Sequence, residues 1–187
     1  MRTISNIQKQ KTWRKGIPLG FLFLTAVSAP VGATTVPEVC STPGNTCAGG
    51  VADINANTLI SDESVLNFTA AGFPTVNIHP GGKLRLEPKL VGTVEPGKTP
   101  ISCPAKPATW MAIIADNLTI HDGGEITGSY PGPNIPNGLL NAGTIAIELT
   151  GNLTIEAGGK LTSDRHERGN GRSGIIGVEV DGQIDVQ

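Results

Sequence analysis

The sequence predicts an all-β chain, a right-handed parallel β-helix (β-solenoid) with irregular loops. Three observations carry this. First, Asn117-Leu-Thr-Ile-His-Asp-Gly-Gly-Glu-Ile-Thr returns 35 residues later as Asn152-Leu-Thr-Ile-Glu-Ala-Gly-Gly-Lys-Leu-Thr, and a looser copy starts at Val76. Second, each copy alternates apolar with polar residues before and after a Gly-Gly pair, the period of two that strands require. Third, no stretch of ten or more residues after Ala33 keeps helical apolar spacing free of Gly or Pro, and Trp110, Tyr130, Phe68 and Phe73 are the only aromatics left there. A narrow stack of Ile, Leu and Val needs few large rings, whereas a sandwich core usually draws on more of them. The alternative is an antiparallel β-sandwich in which Gly-Gly loops join neighbouring hairpin strands. Like residues matching like at 31 to 42 residues favours stacked coils instead.

Taken in order, residues 1–33 read as a signal peptide. Arg2, Lys9, Lys11, Arg14 and Lys15 precede an apolar run from Ile17 to Val27, and Val31-Gly32-Ala33 supplies small residues at a cleavage site. That run, interrupted by Pro18 and followed by Pro30, is short for a bilayer span. Residues 34–74 are expected to be an N-terminal cap or an irregular first coil, because a solenoid end exposes unpaired backbone and a slice of apolar core. Residues 75–187 are expected to be the coils. In them Val76 and Ile78, Leu118 and Ile120, and Leu153 and Ile155 point inward, while Asn77, Thr119 and Thr154 point out. The pairs Gly81-Gly82, Gly123-Gly124 and Gly158-Gly159 are read as corners, since glycine accepts positive φ. Ile147 to Ile155 matches Val178 to Val186 position for position, so four unit starts lie 42, 35 and 31 residues apart. Loops of variable length explain the spread: 87–109, 128–143 and 163–174. The last unit stops before its Gly-Gly, which reads as a chain truncated at its C-terminus or covered there by partner chains.

Charge and cysteines narrow the function classes. Without the leader 9 basic residues face 16 acidic ones, a net charge of about −7. That balance does not suggest nucleic-acid binding, and there is no basic amphipathic helix for a membrane surface. Cys40 and Cys47 flank the turn-rich Ser-Thr-Pro-Gly-Asn-Thr, which would let them bridge in an oxidising compartment. Cys103 is then a spare thiol or the partner of one of the two.

Candidate sites are few. Asp164, Arg165, His166, Glu167 and Arg168, with Arg172 nearby, form the most charged segment. It is bracketed by Ser and Gly, so it reads as a solvated loop where burial cannot tune pKa values. His79 and His121 occupy equivalent positions and would form an outward ladder if their coils are adjacent; surface decoration is the preferred reading. Outward acids (Asp116, Asp122, Glu148, Glu156, Glu179, Asp181, Asp185) lack the Gly-Gly-x-Gly-x-Asp calcium nonapeptide. Asn67, Asn117 and Asn152 fit the N-glycosylation pattern, two of them as a by-product of the repeat. No catalytic, cofactor-binding or metal-binding residue is assigned, and no cofactor is called for.

Leu-Thr-Ile-x-x-Gly-Gly-x-Ile/Leu-Thr repeated behind an export leader resembles the large secreted parallel β-helix proteins of bacterial surfaces, the filamentous-haemagglutinin and autotransporter-passenger type. The likeness spans about residues 75–187. It implies an extracellular or cell-surface, structural or adhesive segment with no catalytic activity. Its partners would be host or surface glycans or proteins, and downstream coils of the same full-length protein, with no nucleic acid. The alternative is a polysaccharide-acting β-helix enzyme, a lyase or glycoside hydrolase. That requires Asp164 or Glu167 to face Asp181 or Asp185 across a groove at about 5–9 Å.

Overall fold

The computed structural model describes residues 33–87, 90–93, 109–129, 138–140, 142–164 and 174–187. Residues 1–32 of the expected signal peptide (1–33), Cys103, Tyr130 and Arg165 to Arg172 lie outside the described residues.

The described chain is a right-handed parallel β-helix, not a sandwich. Three strands make a coil, and the coils stack in three parallel sheets. The first sheet contains β2 (Val51–Ile54), β5 (Thr75–Ile78), β9 (Asn117–Ile120), β13 (Leu153–Ile155) and β16 (Ile184–Val186), with β1 (Thr46–Ala48) added antiparallel at its edge. The second contains β3 (Asn57–Ile60), β6 (Lys83–Leu86), β10 (Glu125–Thr127) and β14 (Lys160–Thr162). The third contains β4 (Ser64–Asn67), β8 (Trp110–Ala115), β12 (Thr144–Leu149) and β15 (Ile176–Val180). Register is in step throughout. Ile54, Ile78, Ile120, Ile155 and Val186 form one column, and Ala52, Val76, Leu118, Leu153 and Ile184 its neighbour. Met111, Ile145 and Ile176, and Leu66, Ile113, Ile147 and Val178, are stacked in the third sheet.

The coils begin at Val51. Residues 51–67 form a full first coil, in register with the second only 24 residues on. Its inward face is unlike the others because it meets the cap. Thr58, 4% exposed, accepts a hydrogen bond from Asn45 Nδ2 at 3.0 Å, and buried Ser64 accepts one from Thr34 N at 2.8 Å. The cap itself is α1 (Val36–Ser41), whose Val36 and Val39 are buried in the same apolar core as Ala52 and Ile54. A capping box starts this short helix, with Glu38 reaching back to Thr35 N at 2.6 Å. Cys40 and Cys47 form a disulfide that ties α1 to β1. Closing this short loop is worth about 2–3 kcal/mol on the chain-entropy scale. Cys40→Ser/Cys47→Ser is therefore expected to lower stability by about that much, read as a shift in the urea midpoint, with the coils below intact.

The Gly-Gly corners between first and second sheets need correction in one respect. Only the leading glycine has positive φ: Gly81 at 82°, Gly123 at 76°, Gly158 at 93°. Each is the third residue of a β-turn closed by a 2.8 Å bond, as from Gly82 N to His79 O, the type II pattern that favours glycine there. The trailing glycine is required by crowding. A Cβ on Gly82 would collide with Ile54 O of the coil before, one on Gly124 with Ile78 O, and one on Gly159 would lie 2.6 Å from Ile120 O.

Ile184 and Val186 stand in inward columns yet are 50% and 42% exposed, because no further strand covers β16 among the described residues.

Candidate functional site

Where the variable segments leave the stack decides where function can be built. The first coil passes from second to third sheet through 61–63, with Glu63 in the left-handed region at φ 62°. The next three coils make the same passage through 87–109, 128–143 and 163–175. All three insertions therefore leave from one corner, stacked on successive coils. Within the first two, β7 (Leu90–Thr93) and β11 (Gly138–Leu140) pair antiparallel, so adjacent insertions join in a two-stranded ribbon. At the root of this corner Thr127 and Thr162 share a hydrogen bond (2.9 Å) and Ser129 Oγ reaches Thr162 Oγ1 (3.4 Å). Ser163 Oγ donates to Gly143 O. Single-corner insertions make one flank of a solenoid its variable, binding-competent face.

The corner from first to second sheet carries the second cluster. His79 and His121 are in adjacent coils and their rings stack, centroids 4.9 Å apart and 16° from parallel. His79 Nε2 lies 2.9 Å from Asp53 Oδ1, which also accepts from Asn77 Nδ2 at 2.9 Å. His121 Nδ1 lies 2.9 Å from Glu156 Oε1, while Asp122 N donates to Glu156 Oε2 at 3.2 Å. Four successive coils thus supply acid, imidazole, imidazole, acid. The Asn77 amide, then His79, hold the Asp53 carboxyl below the usual aspartate range. His121, then the Asp122 N–H, do the same for Glu156. The pattern clips the coils together, with one nitrogen of each imidazole directed at its own acid. Among the described residues no group of three or more His, Cys, Asp or Glu is placed to hold a metal ion.

A depressed carboxylate stabilises the fold above its unfolded titration and loses that contribution as pH falls through its lower folded value. Asp53→Asn is accordingly expected to flatten the loss of stability on acidification below about pH 4. Parallel thermal melts of the two proteins across the acid range check this, and an unchanged slope would show that Asp53 is not linked to folding.

The third corner explains two of the three glycosylation patterns. Asn117 Oδ1 accepts from Asn152 N at 3.0 Å, and Asn152 Oδ1 accepts from Gln183 N at 2.8 Å. Their recurrence is an amide ladder between coils. Gly151 and Gly182 precede these positions because a Cβ there would come within 2.5 Å of the ladder oxygen. Asn67 instead accepts from Ala70 N in a turn. Asp116 accepts from both Thr69 (3.1 Å) and Thr150 (2.9 Å).

Of the charged segment singled out in the sequence, only Asp164 is described; it is exposed, and its N–H donates to Ser129 Oγ at 2.8 Å. Asp181 follows β15 at the third corner and Asp185 sits within β16 on the first sheet, so neither shares a corner with Asp164. Sequence reasoning missed Asp53 as a partner of the histidines. Its signal was the spacing of 24 between Asp53 and Asn77, visible only once 51–54 is recognised as a strand of the stack. No family model matches the chain, nor does any curated protein or any solved structure.

Proposed function

We propose that this chain is an extracellular or cell-surface β-solenoid segment with a structural or adhesive role and no catalytic activity. The observation that supports it is the exit of all three long insertions from one corner, which gives a rigid stack a single variable flank. The Cys40–Cys47 bridge agrees with an oxidising compartment, as expected of an exported bacterial surface protein. Host or surface glycans and proteins would meet the insertion flank.

The test replaces 88–108, 130–137 and 165–173 with short Gly-Ser links and compares the variant with the intact chain. Both are screened on a glycan array and on immobilised extracellular-matrix proteins. The expected result is a retained β-sheet circular-dichroism spectrum with loss of binding. Release of reducing ends or unsaturated sugars from a polysaccharide panel by the intact chain would contradict the non-catalytic reading.

A further inference from the structure

The outward face of the third sheet is the apolar one of the three. The first sheet turns mainly polar side chains outward, among them Asp53, Asn77, Thr119 and Thr154, and the second Lys83, Arg85, Glu125 and Lys160. On the third, register puts Val65, Ala112, Ala146 and Gly177 in one outward column, a floor on which no long side chain stands. Val65, Ala146 and Gly177 are exposed, and a Cβ on Gly177 would meet nothing within 4 Å. Trp110 borders this floor on the side where the insertions leave, in register with Thr144, and exposed Ile175 directly precedes β15 there. The opposite border is Asn67, Ile114, Glu148 and Glu179. Glu148 and Glu179 are exposed and directly in register, like charges one strand spacing (about 5 Å) apart, an arrangement that costs stability. Among the described residues neither carboxylate has a hydrogen bond or an ion pair. The other charged groups described beside this face are acids too: Asp62 and Glu63 on the Trp110 side, Asp116 and Asp181 at the third corner. The described cations Lys83, Arg85 and Lys160 are on the second sheet, and the remaining Lys and Arg after residue 33 fall in the insertions, away from the carboxylate border.

We propose that this face binds an oligosaccharide of amino sugars whose amines are free and protonated. The proposal rests on the adhesive reading above and gives it a ligand class on a face other than the insertion flank. Charge and size choose the occupant. Glu148 and Glu179 lack a cation, and an ammonium group, with three donors, can bond both carboxylates at once. Four residues separate Trp110 from Ile114 in the carboxylate border, about 13 Å along the strand, which a few pyranose rings laid across the floor would bridge. The C–H faces of such rings suit a flat apolar floor, with the Trp110 indole at its far end. The face measures about 15 Å by 13 Å, or about 200 Å², against about 800 Å² per partner in a stable protein interface. That is too small for a second copy of this chain or another folded protein. A lysine-rich peptide is the poorer fit, because its alternate side chains need separate pockets and the floor of Ala112, Ala146 and Gly177 has no walls to form them.

The experiment measures binding of a glucosamine hexamer to the intact chain by calorimetry, at a pH where its amines are protonated and at low and moderate salt. The N-acetylated hexamer is the uncharged control on the same backbone. The glucosamine hexamer is expected to bind with an affinity that falls as salt rises, and to shift the tryptophan fluorescence of the intact chain but not of Trp110→Phe. The N-acetylated hexamer is expected to bind roughly tenfold more weakly or not at all. Glu148→Gln/Glu179→Gln, at exposed positions, is expected to weaken binding roughly tenfold with a melting temperature no lower than that of the intact chain. Ala146→Arg, on the exposed floor, is expected to abolish binding with an unchanged circular-dichroism spectrum. Lys83→Gln/Lys160→Gln, on the second sheet, should leave binding unaltered. Absence of glucosamine-hexamer binding, equal binding of the N-acetylated hexamer, equal binding by the Glu variant, or tighter binding of a lysine hexamer would each overturn the proposal. If array binding depends on the insertions while the glucosamine hexamer fails, the adhesive reading stands and this assignment alone falls.

Discussion

Ile120→Asp is expected to abolish folded protein, while Val186→Asp in the same column is expected to leave it folded. Ile120 has no exposed surface and is enclosed between Ile78 and Ile155, each in register with it. A carboxylate there has neither water nor a cation, and the penalty of at least about 4 kcal/mol is comparable with the whole stability of an ordinary domain. Val186 has a free side, 42% exposed, so its replacement can remain hydrated. The two variants differ only in position along the stack. Yield of soluble protein and far-ultraviolet circular dichroism read the contrast. A folded Ile120→Asp protein would break the inward assignment of the column.

Gly82→Ala is expected to cost about 2–4 kcal/mol, more than Gly81→Ala at about 1–2. The order is the informative part. At Gly81 the penalty is that of an L-residue held at positive φ, with open space around the new methyl. At Gly82 the methyl would be driven into Ile54 O, which belongs to the preceding coil and already accepts from His79 N at 2.9 Å. Accommodating it means separating two coils. Gly177→Ala, where nothing lies within 4 Å, is the reference and should be close to neutral. Urea midpoints of the three variants give the order directly. Equal losses at Gly81 and Gly82 would mean that the coils do not approach as closely as described.

Much of the stack was legible because its signal repeats. Leu118, Leu153 and Ile184 fall in one column, and the sequence aligned them through the Asn-Leu-Thr-Ile phrase and its variant Gln-Ile-Asp-Val. The first coil was harder to see for a physical reason. Its corner is Asn55-Ala56, held by Asn45 Oδ1 rather than by a Gly-Gly turn, and its inward Thr58 and Ser64 are polar because they bond the cap. Missing that coil hid Asp53, and with it one end of the histidine ladder. The trailing glycines were explained by φ because crowding from the coil before leaves no trace in local sequence.

The account depends on parallel stacking in this order, and an electron-spin distance measurement between labels at Asn57 and Lys160 tests it most directly. Both are exposed, and they lie on β3 and β14, the two edges of the four-stranded second sheet. Three strand spacings separate them, about 15 Å before the label arms are added. A single narrow distribution between about 15 and 25 Å is the predicted result. A broad distribution, or one centred beyond about 30 Å, would contradict the stacked coils.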